Sequence, residues 1–440
     1  MRHRSTPDPR FGEAMRELLA KRGMSYRVLA ARTFHGKSYL HELAAGKKAP
    51  TPEIARRIDL ALGARGRLTE LVVSPRVGAP LLMGDGWGRS DNERLAHVLV
   101  SETPGPDNAL RLAHEWLVAE PPQIYELRAG RRVGAATVAT IERRVQQLRL
   151  LDDHVGGDET YPVLSGELAA TSALLREAAY PAQLGRRLLV VTADLCQLAG
   201  FVAADTGRYA DAKRLHAAGV RAAHAGGDTE SAANNLSSIA YVEANSGDPR
   251  TAVLLARSAY AGVRHTGRAT VRALLLERLA WAHARAGDAL AAERTLGTVE
   301  EVYPVPRPAD DPPWAYWLSP EEVQVMAGRV WTELRRPLRA VPILERATAG
   351  YNDDVPRETA LYLTWLAEAL VQAGEIEAAA DRATKALRLA RRAHSHRTME
   401  RVATVRASMA PYADALAVAA FEEEYLDDGP SANTAETADS

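Results

Sequence analysis

Apolar residues recur every three or four positions along most of this chain, and glycine, proline or a capping residue breaks each run within a few turns. Phe11, Ala14, Met15, Leu18 and Leu19 form one face behind Asp8-Pro9, an N-cap followed by proline at the first helical position. Ser25 precedes a short helix, Tyr26 to Arg32, with Val28, Leu29 and Ala30 facing inward. After a tight turn a second short helix, Lys37 to Ala44, carries Leu40 and Leu43 as its buried pair. Gly46 ends it, and Lys47 and Lys48 follow at once, before Pro50. Thr51-Pro52 starts a further helix with Ile54, Ile58, Ala61 and Leu62 on one face before Gly63, and Leu68, Leu71 and Val72 offer a last one. The pattern predicts an all-α protein that begins with five short helices.

From about residue 190 the pattern itself repeats. TGRYADA (206–212), SGDPRTA (246–252), AGDALAA (286–292), RRPLRA (335–340) and AGEIEAA (373–379) occupy turns between paired helices. Their turn residues, Gly207, Gly247, Gly287, Arg335 and Gly374, lie 40, 40, 48 and 39 residues apart. Seven positions before each stands a small residue (Gly200, Ala240, Ala280, Gly328, Ala367), and five after each stands alanine (Ala212, Ala252, Ala292, Ala340, Ala379). Small residues at both places let paired helices approach closely, which stacked repeats require. The longest interval holds a proline-rich excursion, 303–317, ended by a capping box at Ser319-Pro-Glu-Glu322. Residues 107–180 also read as helices, with Leu110/Ala113/Leu117 and Ile141/Val145/Leu148 as apolar faces. The expected layout is a head (1–77), a glycine-rich linker (78–105), unmarked helices (106–189), the repeats (190–426) and a polar, disordered tail (427–440).

Charge separates head from body. Across 440 residues the formal net charge is −1, yet residues 1–77 hold 16 Lys+Arg against 7 Asp+Glu, and the remainder is correspondingly acidic. A basic part on an acidic whole confines any phosphate-binding footprint to the head.

Two resemblances follow from these residues. GMSYRVLA (23–30) and LHELAAGKKAP (40–50) match G-M-S-x-x-x-L-A and L-x-x-L-x-x-G-K-K-x-P, and over about 9–73 the chain resembles the Xre/Cro/CI family of helix-turn-helix regulators. The repeats resemble the tetratricopeptide family, with a longer period and fewer aromatics. The first resemblance implies a five-helix, lambda-repressor-like DNA-binding domain whose second short helix enters a major groove. In that docking Lys37, Ser38 and Glu42 read bases, Lys37 donating to guanine and Glu42 accepting from cytosine. Ser25, Tyr26, Arg27, Lys47 and Lys48 would hold phosphates. The alternative is that all are solvated polar residues of a small helical domain. Ala44-Ala45 and Gly36 depart from the family's polar choices at those places.

The second resemblance implies an α-solenoid whose concave face is lined by the first helix of each pair. In its register that face holds Asp194, Gln197, Phe201 and Asp205, then Asn234, Ser237, Tyr241 and Asn245, then Glu277, Trp281 and Arg285. Amides and carboxylates interleaved with one aromatic per repeat suit an extended peptide; the alternative is a solvated, unused groove. The combined layout resembles peptide-responsive quorum-sensing regulators, which implies a homodimer on double-stranded DNA that answers to a peptide or small-molecule effector. A helical scaffold that binds a protein partner, its head only weakly engaged on DNA, is the second reading.

Catalysis is not expected, and neither is a cofactor or metal. Ala31 to Ser38 fits a relaxed phosphate-loop pattern, but a helix precedes it where a buried strand is needed. His114-Glu115 lacks the second histidine of a zinc-protease helix, and His394 and His396 sit at an arginine-rich helix end. Gly84-Asp-Gly86-Trp-Gly88 follows no strand and reads as linker. The single cysteine, Cys196, stands in the longest apolar run and reads as a small buried residue. That run is broken by Thr192, Asp194 and Gln197 before membrane-spanning length, and the N-terminus lacks a signal peptide's apolar core. A cytoplasmic location without membrane partners is expected.

Overall fold

The computed structural model describes residues 9–33, 35–48, 50, 52–64, 68, 86–101, 104–153, 157–303, 309–351, 356–393 and 395–427. Among these the chain is all-α, with twenty α-helices and one pairing of two-residue strands. It divides into two compact units, Met1–Pro80 and Leu81–Ser440.

The first unit holds α1 (Pro9–Lys21), α2 (Tyr26–Thr33), α3 (Lys37–Ala44) and α4 (Pro52–Leu62). Phe11, Met15, Leu29, Leu40, Leu43, Ile58, Leu62 and Leu68 close a small core with no solvent access worth counting. Gly12 explains how α1 can cross α3: a Cβ there would lie 2.5 Å from the carbonyl oxygen of Ala44. Ala44 itself is buried, so a longer polar side chain would not fit at this crossing. Val28 departs from the expected inward face and is 43% exposed, because this two-turn helix turns Leu29 and Thr33 into the core, one turn apart. Gly46 takes the left-handed conformation (φ +68°) that ends α3, as a glycine past a helix end does. Leu71 and Val72 of the fifth predicted helix lie outside the described residues.

The second unit begins earlier than the predicted linker allows. Residues expected at 78–105 as a hinge include α5 (Arg89–Ser101), whose Leu95, Val98 and Leu99 enter the main core. Gly86–Trp87 (β1) pairs in parallel with Gln123–Ile124 (β2). Between α6 (Pro106–Val118) and α7 (Ala135–Asp152) the chain is extended rather than helical, bridging Leu127 to Tyr180 and Arg132 to Ala179. The proline pair at 121–122 and the glycines at 130 and 134 make that interruption intelligible. α8 (Gly157–Glu177) follows.

Five helix pairs then succeed one another. They are α9 (Ala182–Asp205) with α10 (Tyr209–Gly226), α11 (Thr229–Ser246) with α12 (Pro249–Val263), and α13 (Ala269–Arg285) with α14 (Ala289–Val302). α15 (Pro320–Glu333) with α16 (Pro337–Thr348) and α17 (Pro356–Ala373) with α18 (Ile376–Ala393) complete them, and α19 (His396–Met409) and α20 (Leu416–Asp427) both pack on α18. Each first helix also packs on the first helix of the next pair, making an inner layer. Ala212, Ala252, Ala292, Ala340 and Ala379 are wholly buried between paired helices, as are Ala240, Ala280 and Ala367. At Gly200 and Gly328 a Cβ would collide with His216 and Leu344 of the partner helix. Residues 428–440 of the predicted tail lie outside the described residues.

The inner layer closes on itself. Arg357, at the start of α17, reaches Asp152 of α7 with two hydrogen bonds of 3.2 and 3.3 Å. Ser395 Oγ donates to Asp205 at 3.4 Å, and the Tyr209 hydroxyl donates to Glu400 at 3.0 Å. α19 thus returns against the first pair, and the inner face is walled from several sides rather than open along one.

Candidate functional site

In the head, the residues expected to contact DNA share one region. Lys37 and Ser38 open α3 and are exposed, and Gly36 at the N-cap supplies no side-chain hydrogen bond to the first turn. Among the described residues no side chain caps the first N–H groups of α3, where the helix dipole favours negative charge. Lys47 and Lys48 are exposed just past the other end, and Ser25 and Arg27 are exposed at the start of α2. Tyr26 is half-buried, stacked on the His41 ring with centroids 4.0 Å apart. Glu42 and Lys48, assigned separate roles from the sequence, form an ion pair of 2.6 Å, with Lys48 also 5.5 Å from the Tyr39 ring.

The inner face of the body differs more from its expectation. Asn234 and Ser237 are buried, and with Ser238 they surround one guanidinium: Arg278 Nη1 donates to Asn234 Oδ1 (3.0 Å), Ser237 Oγ (2.6 Å) and Ser238 Oγ (3.0 Å). Gln197 accepts from Arg149 at 2.7 Å. Asn245 donates to the Tyr241 carbonyl and accepts from Trp281 Nε1 at 3.1 Å, while Arg285 serves the Ala244 carbonyl and Glu333. These amides and Arg285 are thus committed within the fold, which removes the free ladder of donors and acceptors expected for a peptide backbone. The physical reason is closure: arginines from neighbouring helices reach the polar positions first. Asp194 stands near Arg149, yet burial outweighs that attraction and raises its carboxyl to about 6.

Beyond these residues a second cluster occupies the same face. Arg329 of α15 lies 4.7 Å from the Trp281 ring, 5.1 Å from Trp365 and 5.6 Å from Tyr241, whose hydroxyl it meets at 2.9 Å. Arg401 of α19 lies 3.5 Å above Trp365 and pairs with Glu368. Arg397 lies over Phe201 at 5.7 Å, its Nε 3.5 Å from Asp205. Glu277 is 2% exposed, and neither of its carboxylate oxygens finds a hydrogen bond among the described residues. Burial, and next the charge of Glu322, push its carboxyl well above the usual range despite Arg278 and Arg329 nearby. The sequence carried a signal for part of this. Phe201, Tyr241 and Trp281 stand six positions before their turn residues, and the same offset in the next two repeats gives Arg329 and Glu368.

Among the described residues no group of three or more His, Cys, Asp or Glu is arranged to hold a metal ion. Cys196 is fully buried and its thiol is pushed up by burial. One described helix, Ala182–Asp205, is long and apolar enough to span a membrane, and its apolar residues lie within the core. No protein-family model matches the chain, and no curated protein does.

Proposed function

We propose that this chain is a sequence-specific, DNA-binding transcription regulator with an Xre-type helix-turn-helix head and a tetratricopeptide-like body that senses an effector, working in the cytoplasm. The observation that carries the reading is the start of α3. Lys37 and Ser38 stand exposed on an uncapped helix N-terminus, with Lys47 and Lys48 exposed past the other end of the same helix, in a segment holding 16 basic against 7 acidic residues. Such a terminus, presented by a short helix across another, fits a major groove and its phosphate margins.

The test is a binding titration of the full chain on DNA enriched from the source genome, at several salt concentrations. Lys47→Ala with Lys48→Ala should weaken binding to all sequences and lower the salt slope by about 2, one for each lost phosphate contact. Lys37→Ala should instead change which base is preferred, at about 1–3 kcal/mol. Equal losses on specific and random DNA for Lys37→Ala would overturn its role as a base reader. Binding that is weak and indifferent to sequence throughout would favour the scaffold reading.

A further inference from the structure

Guanidinium groups gather around Trp365 on the inner face, and some of their N–H groups find no acceptor among the described residues. Arg329 spends Nη2 on the Tyr241 hydroxyl (2.9 Å) and Nη1 on the Met326 sulfur (3.2 Å). Its Nε, the Nε of Arg401 and the Nε1 of Trp365 are buried and have no hydrogen-bond partner among the described residues. Arg329 is only 6% exposed and Trp365 4%, so water does not serve them from a bulk surface. The rings and cations interlock: Trp281 meets Trp365 edge-on at 5.3 Å, and Arg329 and Arg401 lie 5.1 and 3.5 Å from the Trp365 ring. Three orphaned donors within one such cluster call for an acceptor, because buried N–H groups in folded proteins are almost always paired.

Most of the neighbouring carboxylates already have partners. Glu368 pairs with Arg401, Asp205 faces Arg397, and Glu333 holds Arg285. Glu277 is pushed toward its uncharged form. Tyr241 reports the resulting field: burial alone would raise its phenol, yet Arg329, Arg397 and Arg278 bring it down to about 8. The Arg397 and Arg401 side chains keep 24% and 17% of their surface exposed, so the cluster is reachable at the α19 end.

We propose that this cluster is an oxyanion site: it takes a small ligand through a carboxylate or phosphoryl group, whose oxygens accept from Arg329, Arg401 and Trp365. The site rests on the reading of the inner face as the effector site, and gives that effector a chemical class. Filling it ties α15, α17 and α19 together through one group, so occupancy favours the closed arrangement of the inner layer.

The experiment titrates the full chain with inorganic phosphate and, separately, with acetate, against sodium chloride at equal ionic strength. Tryptophan fluorescence and thermal melting are the readouts. Saturable binding of phosphate identifies a phosphoryl ligand and of acetate a carboxylate; a response to neither beyond chloride overturns the site. Arg401→Lys keeps the cation over Trp365 and removes Nε, and Trp365→Phe keeps a ring and removes Nε1. Each should weaken binding by about tenfold, the loss of one charge-assisted or buried hydrogen bond. Arg388→Lys, in the exposed ion pair with Glu424, should leave it unchanged. Native-like affinity in both Arg401→Lys and Trp365→Phe also overturns the proposal, and the second variant decides alone if the first melts early. DNA binding is scored in the same samples. Intact specific DNA binding without an anion response defeats only this site, whereas an anion response without DNA binding defeats only the regulator reading.

Discussion

His216 shows what a single buried side chain imposes on this fold. Its ring fills the space above Gly200, where a Cβ would come within 2.6 Å of it, and its hydrogen-bond partner among the described residues is Asn235 Oδ1, at 3.5 Å. Burial first, and then the charge of Arg278, lower the imidazole to about 3, so it is neutral in the folded chain. An unfolded chain takes up that proton below the ordinary histidine value of about 6.5, so acid favours unfolding. The stability due to neutral His216 is therefore complete above pH 6.5 and is lost as pH falls toward about 3, at about 1.4 kcal/mol per pH unit. Denaturant unfolding at stepped pH should show that slope in the native chain, and His216→Asn should flatten it by about one proton's worth. An unchanged slope in the variant would assign acid sensitivity elsewhere. The same residue-scale reasoning explains the inner arginines: Arg278 lies buried among amide and hydroxyl oxygens, and burial lowers it to about 10.

At the scale of elements, the turns between paired helices carry the clearest record. Gly207, Gly287 and Gly374 take φ of +76°, +77° and +84°, the left-handed region where glycine meets no Cβ penalty. Gly247 does not; it is needed because a Cβ there would lie 1.9 Å from Glu243 Oε2. Arg335 occupies the equivalent place in the fourth repeat and is the one non-glycine residue described with positive φ, at +53°. A left-handed residue with a Cβ costs roughly 1–2 kcal/mol. Arg335→Gly should therefore raise stability by about 1 kcal/mol, part of the gain being returned as chain entropy of the unfolded state. Chemical denaturation would check it; a loss of stability would show that the Arg335 side chain contributes more than its backbone strain costs. The capping box expected at Ser319 is half present. Ser319 Oγ accepts from the Glu322 N–H at 3.2 Å, but the Glu322 carboxylate turns away to accept from the hydroxyls of Tyr351 and Tyr362. A buried pair of phenols offered that carboxylate more than one helix-end N–H could.

For the molecule as a whole, the proposed regulator needs two heads. One small DNA-binding head buries too little surface for tight specific binding, and two-fold operators match two-fold proteins. The body is the part large enough to hold two copies together. Sedimentation equilibrium of the full chain should give twice the 47.7 kDa chain mass, and residues 86–427 alone should give a dimer of their own. A monomeric chain with undiminished operator affinity would remove dimerisation from the proposal.

Local rules in the sequence were enough to specify most of the helices and much of the pairing, though not α5 or the extended stretch between α6 and α7. Apolar spacing, N-cap aspartates such as Asp228 and Asp288, and small residues at fixed distances from each turn act within a few residues of themselves. They made the all-α class and the buried alanines legible, and the exposed basic residues around α3 with them. Only the tertiary structure decided where the inner polar residues point their hydrogen bonds. Asp205 meets Ser395, and Asp152 meets Arg357, across 190 and 205 residues of chain. Those pairings depend on the small rotation from one helix pair to the next, accumulated around the inner layer until its ends meet. Repeat spacing fixes the pairing of neighbours but not that accumulated angle, so the polar positions read as an open groove proved to be bonded across a closed one.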